Sequence, residues 1–226
     1  VPFQMFLNNG YTQSTSSFDI VATEDGTIVT ITPQKPIIGH PPNVTFNITL
    51  NEGQTWSGRA TSVNADQHPS GTTVTANKPI AITMSDDSVN GTPYGGCADI
   101  MGDQIVPVNI VGTEYIAIKG NLNGPDSDKV FIVTTEPGTT VSVNGNVVTT
   151  LPTASSTYTH TLTETSAYYT TNHPVYVLHL TGFGCEVGGA LLPPIVCTGS
   201  QEVAFVRSTS EFIGLKILVP SGGEGD

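Results

Sequence analysis

The chain reads as an all-β protein made of two tandem, pseudo-repeated antiparallel β-sandwich-like units packed together, and three observations predict this. Only 12% of its 226 residues are charged and 37% are hydrophobic, while threonine, serine, asparagine, glycine and valine are abundant. Such a mixture suits pleated strands and tight turns better than helices. Apolar and small polar residues alternate with period two in stretch after stretch, as strands with one buried face require. Finally, the chain repeats itself at long range, the mark of a duplicated structural unit.

Four landmarks recur in the same order. Asp19–Ile31, DIVATEDGTIVTI, aligns without gaps with Phe131–Val143, FIVTTEPGTTVSV. Glu24-Asp25-Gly26 reads as a hairpin turn, with Gly26 and Gly138 at the one place where a positive φ is needed. Thr72–Ser85 is matched by Ala167–Leu180, with Asn77-Lys78-Pro79 mirrored by Asn172-His173-Pro174. At each Asn-x-Pro one strand is expected to end and another to begin, because proline cannot continue a ladder. Gly96-Cys97 returns as Gly184-Cys185, and GTEYIAIK (112–119) returns as TSEFIGLK (209–216). These echoes divide the chain into a first repeat, 1–120, a second, 121–219, and a flexible Gly-rich tail, 220–226. Each repeat is too small and open-edged to be comfortable alone, so the two should pack together. In the first repeat Pro33–Pro42 reads as a surface loop and VTFNITLNEGQTW as a strand pair, with Trp56 in the core. In the second, His179 occupies the inward-facing place of Met84 and reads as a hydrogen-bonded core histidine.

Charge and motifs narrow the function. With 7 basic and 19 acidic residues the net charge is −12, which repels phosphate backbones and excludes nucleic acid as a partner. No apolar run reaches the roughly 20 residues of a membrane helix, so this segment has no membrane span. Val1 stands inside an apolar stretch, VPFQMFL, and the chain is expected to be part of something longer. There is no Gly-x-Ser-x-Gly elbow, His-Glu-x-x-His helix, phosphate-binding glycine loop or Cys-x-x-Cys pair; the chain does not read as an enzyme, and no cofactor is expected other than calcium. In the acidic loop SDDSVNGTPYGGCADIMGD, Asp86, Asp87, Asp99 and Asp103 are candidate ligands for that hard cation, weighed against solvated turn carboxylates. Among the three cysteines, Cys185 with Cys197 closes a short loop, and Cys97 with Cys185 is the alternative that joins equivalent points of the repeats. Asn43, Asn47 and Asn90 each begin an Asn-x-Thr sequon, a glycan acceptor only in a secretory eukaryotic chain.

The segments GCADIMGDQIVPVNIVGTEYIAIKG and GCEVGGALLPPIVCTGSQEVAFVRSTSEF resemble the N-terminal domain of the IgG Fc-binding protein family, in its bacterial secreted or surface type. Gly96-Cys97-Ala98-Asp99, Asp103-Gln104 and Gly112–Tyr115 carry most of the likeness. The resemblance implies a non-catalytic extracellular or cell-surface β module for adhesion, matrix or display, with no catalytic residues to transfer. It also implies an aromatic-rich opening strand, which is not found before Val1 and is expected either to have been removed or to be supplied by another chain. The expected partner is therefore a protein or glycan on a cell or matrix surface, with self-association by β-strand donation as a further expectation. The alternative is a carbohydrate-active enzyme or a lectin-like glycan-binding domain. For the enzyme, the symmetric carboxylate pairs would be Glu114 with Glu211 and Asp99 with Glu186.

Overall fold

A computed structural model of the chain describes residues 15–89, 99–124, 128–200, 202, 204, 210, 214–219 and 221–223. Fifteen strands run through these residues: β1 (Ser17–Ala22), β2 (Thr27–Thr32), β3 (Phe46–Leu50), β4 (Thr55–Arg59), β5 (Thr73–Ala76), β6 (Ile80–Val89), β7 (Asp99–Ile105), β8 (Gly112–Ile118), β9 (Asn121–Leu122), β10 (Lys129–Thr134), β11 (Thr139–Val143), β12 (Asn146–Leu151), β13 (Thr157–Thr161), β14 (Ser166–Gly184) and β15 (Glu186–Leu191). Short 3-10 turns cover Ala65–Gln67, Val108–Ile110 and Ile195–Cys197. The fold is all-β, and among the described residues no helix is long and apolar enough to cross a membrane.

The strands of each half pair in the same order. In the first half one sheet runs β4-β1-β6-β7 and a second runs β3-β2-β5. In the second half β13, β10, the later part of β14 and β15 pair in the first manner, and β12, β11 and the earlier part of β14 in the second. The alternation explains the layering: β1 buries every second residue and so does β2, so each can close one core from opposite sides.

Two turn readings are corrected by this arrangement. The Glu24-Asp25-Gly26 turn is not a hairpin, because β1 pairs with β4 and β6 while β2 pairs with β3 and β5. It is an arch that carries the chain from one sheet to the other, and Glu136–Gly138 likewise joins strands that do not pair with each other, β10 and β11, which bond to the later and earlier parts of β14 within one eight-stranded sheet. Both flanking strands have a buried apolar face, which favours placing them across a core rather than side by side. Asn77-Lys78-Pro79 separates β5 from β6 as expected. Asn172-His173-Pro174 does not end a strand: β14 runs through it, with an irregularity in its pairing to β8 between Thr170 and Val175.

The residues repeated at these corners form the same clamp twice. Gly26 and Gly138 take φ of 65° and 71°, a left-handed conformation that glycine adopts without a Cβ penalty. Thr27 Oγ1 donates to the Glu24 carbonyl and Thr139 Oγ1 to that of Glu136, each at 2.7 Å. The Asn77 carboxamide oxygen accepts the Ile28 N–H at 2.8 Å, and that of Asn172 accepts the Thr140 N–H at 2.7 Å. Thr23 and Thr135 donate their hydroxyls to the carbonyls of Pro79 and Pro174. Lys78 and His173, the middle residues of the two Asn-x-Pro triplets, reach Glu24 and Glu136 at 3.8 and 3.3 Å.

Three apolar cores follow one another through the molecule. Phe18, Ile20, Val29 and Ile31 lead the core of the first half, and Tyr115, Val130, Ile132, Val141, Tyr169 and Val177 that of the second. Between them Met84, Met101, Phe131, Leu178, Leu180 and Val187 join the halves. Strand β10 lies between two of these cores, and all six of its residues are buried. Strand β8, ahead of the expected boundary at residue 120, pairs with the early part of β14 and so completes the sheet of the second half.

Where β10 begins, Asp128 is fully buried. It accepts the Gly120 N–H at 2.7 Å and the Thr181 hydroxyl at 2.6 Å, and His179 Nε2 stands 3.4 Å away. Burial alone would raise its pKa, but the bonds from His179, Thr181 and Gly120 outweigh this and hold the carboxyl below its ordinary value. A lowered carboxylate pKa stabilises the fold above the unfolded-state value of about 3.9, and that contribution is lost as pH falls through the folded value. Urea unfolding should therefore show stability declining below about pH 4, and Asp128→Asn should flatten that decline and cost about 2–3 kcal/mol at neutral pH. Asn77→Ala and Asn172→Ala should each lower stability by about 1–2 kcal/mol in the same measurement, since each leaves a strand N–H without its acceptor.

Candidate functional site

The second Gly-Cys copy, Gly184-Cys185, lies at the turn between β14 and β15, the first copy lies outside the described residues, and the fold brings β15 against the strand that follows the first copy, β7. Strand β7 packs on β15, and its carboxylates make the connection: Asp99 Oδ2 accepts the Val187 N–H at 2.6 Å and Asp103 Oδ2 accepts the Leu191 N–H at 2.7 Å. Both bonds use carboxylates of one strand to satisfy backbone donors of the other, which fixes the register between the halves. A Cβ on Gly189 would stand 2.5 Å from the Met101 methyl, so a larger residue there would push that methionine aside.

At the tip, Asp99 and Glu186 share a hydrogen bond, which together with the negative charge of Asp99 raises the Glu186 carboxyl above its ordinary value. The symmetric pair read from the sequence is thus brought together. Two carboxyls in direct contact leave no room for a sugar or a water between them, whereas glycosidases hold theirs roughly 5 to 9.5 Å apart. Glu114 is exposed on β8 and accepts the Tyr168 hydroxyl at 2.8 Å; its counterpart Glu211 lies outside the described residues.

Three of the four candidate calcium ligands have separate occupations. Asp86 is fully buried, with Oδ2 3.1 Å from Nδ1 of the equally buried His68. Asp99 and Asp103 are committed to β15, and the side chain of Asp87 lies outside the described residues. Among the described residues no group of three or more His, Cys, Asp or Glu could hold a metal ion. Cys185 is disulfide-bonded; Cys97 and the side chain of Cys197 lie outside the described residues. Of the sequons, Asn43 and Asn47 are exposed, and Asn90 lies outside the described residues.

Beside the carboxylates the tip carries two apolar side chains that sequence reasoning missed. Ile100 is 76% exposed and Phe183 64% exposed, and Phe183 is paired with Glu186 across the β14–β15 turn. No sequence signal marks them, because an apolar residue in an alternating strand does not announce which face it takes. A second surface feature lies on the first half: His40 stacks on Phe46 at 3.5 Å, and Trp56 stands 5.6 Å from Phe46. Trp56 is half-buried against the first core, so it is neither a fully exposed platform nor a fully enclosed core residue.

If Asp99 and Asp103 hold the halves in register, Asp99→Ala with Asp103→Ala should lower the melting temperature by about 4–8 °C for roughly 2 kcal/mol lost. Scanning calorimetry that finds the melting temperature unchanged would contradict this role.

The comparisons with known proteins bear on a chain with this architecture. No curated protein and no solved structure matches it. A family model described as "IgGFc binding protein" matches residues 4–219, nearly the whole length. The chain belongs to the IgGFc-binding protein family.

Proposed function

We propose that this chain is a non-catalytic extracellular binding module that presents its paired hairpin tips to a protein on a cell or matrix surface, an adhesive or structural role. The family is a binding, non-enzymatic one whose members are usually extracellular. The observation that carries the proposal is the exposure of Ile100 and Phe183 beside the Asp99–Glu186 pair, where β7 is hydrogen-bonded to β15. An aromatic and an aliphatic anchor with a polar rim is the composition of a binding hot spot. The expected behaviour is retention of the full chain by at least one purified matrix protein or by immunoglobulin G Fc on a sensor surface. Ile100→Ser with Phe183→Ser should weaken that binding by about tenfold or more; a variant that binds as well as the parent would sink the proposal.

The lectin-like reading has its own support in the His40–Phe46–Trp56 cluster, since sugar rings stack on aromatic faces. A glycan array on which Trp56→Ala abolishes binding, while the tip variant keeps it, would favour that reading over the first. Self-association by strand donation needs an unpaired strand, and among the described residues the edge of β5 is one.

The disulfide of Cys185 belongs to the same proposal, with Cys97 as its partner. Asp99, two residues after Cys97, is bonded to Val187, two residues after Cys185, and two residues span at most about 7 Å. The turn that ends at Cys197 begins beside Pro194, whose side chain faces Gly112. Gly112 is opposite Val175, roughly 30 Å along β14 from Cys185 at strand rise. Non-reducing peptide mapping should yield a Cys97–Cys185 peptide, and a Cys185–Cys197 peptide would overturn the assignment.

A further inference from the structure

The two halves differ in chemistry at one matched place in their cores. By the repeat alignment and the strand register, Phe18, Gly58 and Val74 of the first half correspond to Val130, His160 and Tyr169 of the second. In the first half the place is apolar. Gly58 lies opposite Phe18, and a Cβ on it would stand 2.4 Å from the Phe18 ring, which takes the space itself. In the second half the smaller Val130 is opposite His160, so an imidazole stands where the first half has a glycine.

His160 Nδ1 stands 2.8 Å from the Tyr169 hydroxyl, and the two rings meet edge to face at 5.6 Å. His160 is on β13, which pairs with β10, and Tyr169 is on the early part of β14, which pairs with β11 and β8. The bond therefore joins strands with different partners across the second core. Tyr169 is buried, and among the described residues its hydroxyl has no other acceptor. Burial pushes the Tyr169 phenol up, so it keeps its proton and donates. Nδ1 then has to accept, which leaves the ring proton of neutral His160 on Nε2.

Protonation of His160 puts a second donor on this contact, and one of the two protons is left pointing into apolar surroundings, with the cost of a buried donor that lacks its acceptor. The groups around the ring do not remove that cost. Burial holds His160 below its ordinary value; the exposed Glu164, in the loop after β13, opposes this, and the cation of Lys129 on β10 adds to it. Tyr158 on β13 is the remaining titratable neighbour of the pair, and burial pushes its phenol up as well. We infer that His160 is a proton-sensitive fastener of the second core, which holds β13 to β14 at neutral pH and releases it at mildly acidic pH while the first half stays closed. The sign follows from linkage. A histidine held below its unfolded value of about 6.5 contributes stability that is complete above that pH and is lost as pH falls through the folded value. The loss begins well above the decline set by Asp128, and it does not involve the hairpin tip.

Hydrogen exchange on the full chain at about pH 7.5 and about pH 5.5, corrected for the intrinsic rates, tests this. At the lower pH the protection of the β13 amides should fall by about tenfold, while that of β2 in the first half holds. Scanning calorimetry should show a melting temperature lower by about 2–4 °C. His160→Gln, which keeps an acceptor for Tyr169 and does not titrate, should remove both changes. Protection of β13 that survives the lower pH, an equal loss in β2, or a variant that loses as much as the parent would overturn the inference. Should the variant fail to fold, nitrogen NMR of the His160 ring in the parent chain gives an independent reading. The Nε2–H tautomer at neutral pH and a titration midpoint below about 6.5 are expected. An Nδ1–H tautomer, or a midpoint at or above that value, would refute the fastener.

Discussion

The structure depends on the corner at which a strand leaves one sheet and enters the facing one. A sandwich core is closed only if that turn holds its two strands across the gap instead of letting them zip together as a hairpin. The repeated Thr-Glu-x-Gly-Thr turn does this with help from a distant Asn-x-Pro, whose asparagine takes the first free N–H of the departing strand. Proline contributes a carbonyl to the same corner and withholds an N–H that would compete for partners. That a local turn is held by a segment some fifty residues away in one half and some thirty in the other makes each corner a point of long-range closure.

Once both corners are set, the halves meet through a core to which each contributes, with β10 enclosed on both faces. Carboxylates do the remaining alignment, since Asp99 and Asp103 bind backbone N–H groups of β15 that no strand on that side would otherwise satisfy. The acidic character of the chain thus has a structural use at this joint. At the end of the same joint Ile100 and Phe183 are exposed beside the Asp99–Glu186 pair, and the proposed binding role rests on these side chains. Binding residues on tips held by a rigid scaffold are a common solution, because the scaffold bears the ordering cost in advance.

Much of the fold was legible because alternation, turn chemistry and repetition are local or self-comparing signals. The strands around Asp19–Ile31 and Phe131–Val143 follow from their period, and the positive φ of Gly26 and Gly138 follows from the turn they share. Which strands pair was not legible there: a glycine turn between two alternating runs is compatible with a hairpin and with an arch, and the choice depends on the distant Asn77 and Asn172. The continuity of β14 through Pro174 escaped for a similar reason, since neighbouring strands tolerate proline where the pairing is irregular. At the site, the meeting of Asp99 with Glu186 could be read from symmetry. The exposure of Ile100 and Phe183 could not, because an apolar residue carries no sign of which way it faces. Asp86 shows the limit of counting carboxylates: a residue that looks like a loop ligand is enclosed beside His68.

The position of β8 has a consequence for how such chains can be cut and recombined. Although its sequence closes the first echo, its hydrogen bonds and its tyrosine serve the second half. A breakpoint placed just after Gly120 would deprive the downstream piece of the strand that seals its core and leave the upstream piece with an apolar ribbon it cannot bury. A junction before Gly112 would keep each sheet whole. Shuffling, truncation and inheritance of this architecture should respect that earlier seam.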